Sequence, residues 1–291
     1  MTIKGLNIFH PVTTKVHGPT TTLLNLLKGL ESLGIEVVSN DNNSKFPKVH
    51  FSGDLQPHQI NQKFYLSGPN VLNHTKYNEF STRYHNKNRN YILGSKWLQK
   101  TFEHYDASVI TKFWKWGIDT EFWQPTISEF KQKQGCFIYS KNRDASSIHS
   151  VCANMGITSS QISYGSYDHK DLLEACRRHR FCIVATRQES NPNFLLEILS
   201  MNIPCIVLDW SDHWLPELKG KISTSSATEW TNLFGYKLKL HNNLYDLETF
   251  KAAIIDLNEN YNDYNPRSII KKEYSLECGA KNYLDILETV I

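Results

Sequence analysis

Long apolar runs are missing from this 291-residue sequence: the greasiest stretch, 194–208, is broken by Glu197, Asn202 and Pro204. A bilayer span needs about 20 largely uninterrupted apolar residues. The amino terminus, Met1-Thr-Ile-Lys-Gly-Leu-Asn-Ile-Phe9, lacks the layout of a secretory signal and runs directly into a predicted strand. The expectation is a soluble, cytoplasmic protein. Cysteine is sparse, with six residues (Cys136, Cys152, Cys176, Cys182, Cys205 and Cys278), all in the second half. None forms a two-spaced pair, which argues against a zinc site and a disulfide framework and for buried thiols. Gly-x-Gly-x-x-Gly, Gly-Lys-Ser/Thr, His-Glu-x-x-His and Gly-x-Ser-x-Gly are all absent. Dinucleotide-dependent, phosphate-loop, zinc-hydrolase and serine-hydrolase chemistries lose their usual signatures.

What is present is a globular composition, 40% hydrophobic and 21% charged, long enough for two domains that each bury a core. The net charge of +3 hides an asymmetry. Residues 1–126 hold 14 Lys/Arg against 9 Asp/Glu, or +5, and residues 127–291 hold 18 against 20, or −2. A basic first half suits an anionic acceptor or peripheral contact with a membrane surface; a solvated face is the plainer account.

Apolar strands alternate with helical patterns, the mark of parallel sheets wrapped by helices. In the first half, strands are predicted at 6–10, 35–39, 49–51, 64–66, 91–93 and 109–112. Helices are predicted at 20–33, stopped by Gly34, and at 95–104, capped by Ser95. The charged segment 128–134 suits a linker, dividing the chain into domains 1–126 and 127–291. In the second half, strands are predicted at 136–140, 162–164, 181–186 and 205–209. Helices are expected at 144–155, 170–178, 246–260 and 275–289, besides one opening near Pro192.

That last helix lies within the most informative stretch, Phe181-Cys-Ile-Val-Ala-Thr-Arg-Gln-Glu189-Ser-Asn-Pro-Asn-Phe-Leu-Leu-Glu197. Two glutamates separated by seven residues straddle a strand-to-helix turn. With Asn191 as N-cap and Pro192 as first helical residue, Glu197 falls ~7–8 Å below the helix start. Such an end presents free N–H groups and partial positive charge, which suit a phosphate. The bland alternative makes Glu189 a solvated loop acid and Glu197 a surface position.

The stretch resembles the donor-binding segment of retaining nucleotide-sugar glycosyltransferases of the two-Rossmann-domain (GT-B) architecture, close to family 4 (glycosyl transferases group 1). Trp114-Lys-Trp-Gly-Ile-Asp-Thr-Glu-Phe-Trp123-Gln-Pro125 resembles the passage that closes the first domain in that family. The resemblance implies an α/β fold of two Rossmann-like domains facing across a cleft, the final helix 275–289 being a candidate to cross back onto the first. It implies hexose transfer from a nucleoside diphosphate sugar to a glycan, lipid or protein acceptor, by the retaining course, with no cofactor beyond the donor substrate. By this resemblance Glu189 contacts the transferred sugar and Glu197 the nucleotide ribose. No Asp-x-Asp, a common manganese-binding signature, occurs, so no metal is expected and fixed cations must meet the diphosphate.

Lys141 and Arg143 follow the first strand of the second domain, where open parallel sheets bind ligands, and Arg187 precedes the glutamate turn. Amides at Asn193 and Phe194 would join them. In the first domain, Gly18 in a loop after the first strand would admit close approach of the donor phosphate or acceptor, and His17 and His74 are candidate active-site histidines. The chain departs from the family in having Ser190-Asn191 after Glu189, and Trp210-Ser211 before Pro216-Glu217, where the family often has glycines. A nucleotide-sugar-binding module of the same fold without turnover is therefore an alternative. A DNA glucosyltransferase is another, although aromatic–basic interleaving stands out only over Lys112–Trp116.

Overall fold

The computed structural model describes residues 3–10, 18–51, 64–70, 90–105, 107–125, 133–187, 189–211, 216–227, 229–240 and 244–291. The chain divides into two compact units. Unit 1 comprises Met1–Asp119, Asp212–Ser223 and Glu273–Ile291, and unit 2 comprises Thr120–Ser211 and Thr224–Lys272.

Unit 1 holds a six-stranded sheet of β1 (Gly5–Phe9), β2 (Glu36–Ser39), β3 (Lys48–His50), β4 (Leu66–Asn70), β5 (Asn90–Leu93) and β6 (Ile110–Phe113), in the order β2-β1-β3-β4-β5-β6. Every described pairing in it is parallel. All five residues of β1 are buried, as a parallel strand covered on both faces requires. Helix α1 (Gly18–Ser32) follows, burying Leu23, Leu26 and Leu30. Gly34, at φ +70°, takes the left-handed turn that ends it. Helix α2 (Lys96–Tyr105) opens on Ser95, whose Oγ accepts the Leu98 amide at 3.4 Å. Its Trp97, Leu98 and Phe102 pack with Tyr91, Leu93, Leu218 and Ile222.

Unit 2 holds five parallel strands, β7 (Cys136–Lys141), β8 (Ser159–Ser163), β9 (Phe181–Thr186), β10 (Cys205–Asp209) and β11 (Gly235–Lys239), in the order β11-β10-β9-β7-β8. The inner strands β9 and β10 are buried throughout, which explains their unbroken apolar sequences. Helices α3 (Ser146–Asn154), α4 (His169–Arg178), α5 (Asn193–Ser200), α6 (Leu247–Asn260) and α7 (Pro266–Glu273) connect or follow them. Asp168 and Asp171 form a reciprocal capping box at the start of α4. Asp246 caps α6 by accepting the Thr249 amide at 2.7 Å. Ile138, Ile183, Ile206 and Leu208 from the strands meet Phe250, Ile254 and Leu257 of α6. Strand β11 and helix α7 were not expected from the sequence.

Helix α8 (Leu276–Glu288) belongs to unit 1. The Trp114 Nε1–H donates to the Gly279 carbonyl at 2.9 Å, and the Ile118 amide to the Tyr274 carbonyl at 2.8 Å. A Cβ at Gly279 would lie 2.1 Å from the Gly117 nitrogen, and one at Gly29 of α1 would lie 2.4 Å from the Leu276 carbonyl oxygen. Missing side chains are what let these backbones meet. Among the described residues, no helix is long and apolar enough to cross a membrane.

Candidate functional site

The site is assembled at the carboxyl ends of β7, β9 and β10. Strand β9 ends at Thr186, and the chain turns through Glu189–Pro192 into α5. Pro192, at φ −71° and ψ 122°, is itself the N-cap; its carbonyl accepts the Leu195 and Leu196 amides at 3.1 and 3.3 Å. The sequence reading, with Asn191 as cap and Pro192 as first helical residue, is thus displaced by one position. A residue preceding proline is pushed towards extended backbone, so Asn191 stays outside the helix. The Asn193 and Phe194 amides are the first two helical N–H groups, which have no acceptor within a helix. At the other end, the Arg267 guanidinium donates to the Ser200 carbonyl at 2.8 Å. Residues 194–200 of α5 are all buried.

Glu197 is therefore a buried acid, 4% exposed, and not a position on a solvated face. Among the described residues no hydrogen bond or ion pair engages its carboxyl, and burial alone pushes it up to about 8. Glu189 is shielded as well, its side chain 13% exposed. Its amide donates to the Ser225 carbonyl at 2.9 Å. Burial raises its carboxyl, opposed by the ammonium of Lys141, whose Nζ lies 2.8 Å from Oε1.

Two tyrosines lie close enough to the acids to sense their charges. Tyr139 of β7 stacks on Phe194, and its hydroxyl is 3.2 Å from that of Tyr167. Burial raises both phenols, Tyr167 to about 12, and the charges of Glu189 and Glu197 add to the effect. The sequence reading passed over both tyrosines. Strand alternation was the available signal for Tyr139, because it places Tyr139 and Lys141 on the same face of β7.

Arg143 and Arg187 complete the cationic side. Burial lowers Arg143, with Tyr245 opposing and the Arg187 charge adding, and its Nη1 is buried without a hydrogen-bond partner among the described residues. The Arg187 guanidinium lies 5.4 Å from the centre of the Trp210 ring. Ser190 Oγ and Thr186 Oγ1 are likewise buried without partners among the described residues. Asp209, at the end of β10, accepts the Ser226 amide at 2.6 Å and the Ser225 hydroxyl at 2.8 Å. It thereby fixes the segment whose carbonyl receives the Glu189 amide.

The structure thus brings Glu189, Glu197, Lys141, Arg143, Arg187, Asn193 and Phe194 onto one edge of unit 2. Gly18 belongs to unit 1, as the exposed first residue of α1, and an added Cβ there would meet nothing within 4 Å. His17 and His74 lie outside the described residues. Glu217 accepts the Tyr105 hydroxyl at 2.7 Å within unit 1. Among the described residues, no three His, Cys, Asp or Glu side chains gather as metal ligands.

Neither a protein-family model nor a curated protein matches the sequence. Solved structures are similar in fold. The apo form of the lipopolysaccharide outer core galactosyltransferase WaaB gives a TM-score of 0.56 at 10% identity, over 99% of this chain and 100% of that one. WaaG, a glycosyltransferase involved in lipopolysaccharide biosynthesis, gives 0.56 at 9% identity, over 97% and 99%. Sucrose-phosphate synthase from Thermosynechococcus elongatus gives 0.52 at 11% identity, over 91% and 71%. At these identities the likeness is one of fold, the α/β class of two Rossmann-like units called GT-B.

Proposed function

We propose that this chain is a glycosyltransferase that moves a hexose from a nucleoside diphosphate sugar to an acceptor, with retention and without a metal. The observation that carries the reading is the joint burial of Glu189 and Glu197 around the start of α5, at the carboxyl end of a parallel sheet. Two shielded acids beside a helix N-terminus and three cations suit a ligand with hydroxyls at one end and a diphosphate in the middle. In this reading Glu189 orients sugar hydroxyls, and Glu197 hydrogen-bonds the ribose. The Asn193 and Phe194 amides, with Lys141, Arg143 or Arg187, stabilise the diphosphate as charge develops on it. The departing phosphate oxygen assists deprotonation of the acceptor on the same face of the sugar.

Unit 2 is the donor side and unit 1 the acceptor side, with His17, Gly18 and His74 as its candidate residues. A glycan, lipid or protein acceptor fits; two of the fold neighbours are named for lipopolysaccharide synthesis. A cytoplasmic enzyme in peripheral contact with a membrane belongs to the same proposal.

One feature favours a second reading, a nucleotide-sugar-binding module without turnover. Lys141 already holds the carboxylate assigned to the sugar, and Ser190-Asn191 occupy the turn beside it. A panel of nucleotide sugars separates the two. An enzyme releases the nucleotide in the presence of acceptor or water, whereas a module gains thermal stability and releases none. Neither response with any donor would remove both readings.

A further inference from the structure

Three cations stand at the carboxyl end of the unit 2 sheet, and their surroundings differ. Lys141 is held on two sides, its Nζ 2.8 Å from Glu189 Oε1 and 4.5 Å from the centre of the Tyr164 ring. Arg143 and Arg187 meet no carboxylate within ion-pair distance among the described residues. Arg143 Nη1 is buried without a hydrogen bond among the described residues, and burial, with Tyr245 opposing and the charge of Arg187 adding, disfavours its charged form. A buried N–H without an acceptor is costly, and like charges disfavour one another. An oxyanion bound by these guanidiniums relieves both, and their planar forks match phosphate oxygens.

We propose that Lys141 is a positioning residue for Glu189 and not a ligand of the diphosphate, which is bound by the Arg143–Arg187 pair. The assignment of the arginines rests on the donor-site reading; the role of Lys141 towards Glu189 is measurable without it. The ammonium keeps Glu189 in one orientation and favours its charged form against the burial that opposes it. Tyr139 and Tyr167 are the other titratable groups that sense this carboxylate, and both are neutral phenols raised well clear of neutrality. An ionised, oriented acceptor is what sugar hydroxyls require.

Two measurements test this. In ligand-free protein labelled at the glutamate side-chain carboxyl carbon, the Glu189 resonance is identified by its loss in Glu189→Gln and titrated by NMR. Its midpoint moves to higher pH in Lys141→Met and returns in Lys141→Arg. An unmoved midpoint in folded Lys141→Met overturns the positioning role, and Lys141→Gln replaces that variant if circular dichroism shows it unfolded. The second measurement is calorimetric titration with uridine and guanosine diphosphates against their monophosphates. Lys141→Met keeps the wild-type preference for the diphosphate, whereas Arg143→Met or Arg187→Met reduces it by about tenfold or more. The reverse pattern overturns the assignment. If the wild type binds none of the four, the donor-site reading and the arginine assignment both fall, and the carboxyl titration alone decides the lysine.

Discussion

The rings of Tyr139 and Phe194 lie face to face, 3.7 Å between centroids and 8° from parallel. The stack fastens the first turn of α5 to β7, and that turn also carries the amides assigned to the diphosphate. Truncation by Phe194→Ala removes the contact and leaves a cavity. We expect a loss of about 3–5 kcal/mol in denaturant unfolding, together with weaker nucleotide binding. A variant as stable as wild type would show that the stack does not hold the helix in place.

Glu197 gives the protein a pH dependence of defined sign. Burial raises its carboxyl from an ordinary 4.5 to about 8. Its contribution to stability is complete below 4.5 and is lost as pH rises through about 8. The slope is at most about 1.4 kcal/mol per pH unit. Glu197→Gln removes that slope, so urea midpoints of the variant should overtake those of wild type towards pH 9. Parallel curves for the two proteins across this range would contradict the burial described.

The two acids are expected to fail differently. Glu197→Ala, by removing a hydrogen bond to the ribose, should weaken nucleotide binding by about tenfold or more. Glu189→Ala should leave nucleotide binding nearer to wild type and slow transfer by about a hundredfold or more. Calorimetry and initial rates separate these effects, and wild-type behaviour in both variants would remove the site assignment.

Backbone contact at Gly279 sets a strict size limit in unit 1. Gly279→Ala drives a methyl group towards the Gly117 nitrogen, 2.1 Å from the ideal Cβ position. A cost of about 1–3 kcal/mol is expected. Gly18→Ala, with nothing within 4 Å of the added atom, should change stability by no more than ~0.5 kcal/mol. Equal melting temperatures for both variants would refute the close packing.

Much of unit 2 was legible because local signals agreed. Phe181–Thr186 and Cys205–Asp209 are uninterrupted apolar runs bounded by polar turns, and both are strands with those limits. Asp246 and Ser275 announced α6 and α8, and each accepts an amide from the first turn as its cap. Strand β11 was hidden because an outer strand of mixed exposure, Gly-Tyr-Lys-Leu-Lys, carries no run of apolar residues. Pro266 obscured α7, where it opens a short helix with little apolar content. At the site, the glutamates and cations could be named from spacing. Their pairing could not, since Lys141 reaches Glu189 across 48 residues of sequence, and Tyr139 and Tyr167 come within reach of the Glu189 and Glu197 charges through tertiary packing alone.

The return of α8 to unit 1 bears on how the protein is made. Its residues, 276–288, leave the ribosome after the whole of unit 2, yet Gly29 and Trp114 depend on them for their packing partners. Unit 1 therefore remains incomplete until the whole of unit 2 has been synthesised. The usual course, in which the amino-terminal domain is completed first, is closed to this chain.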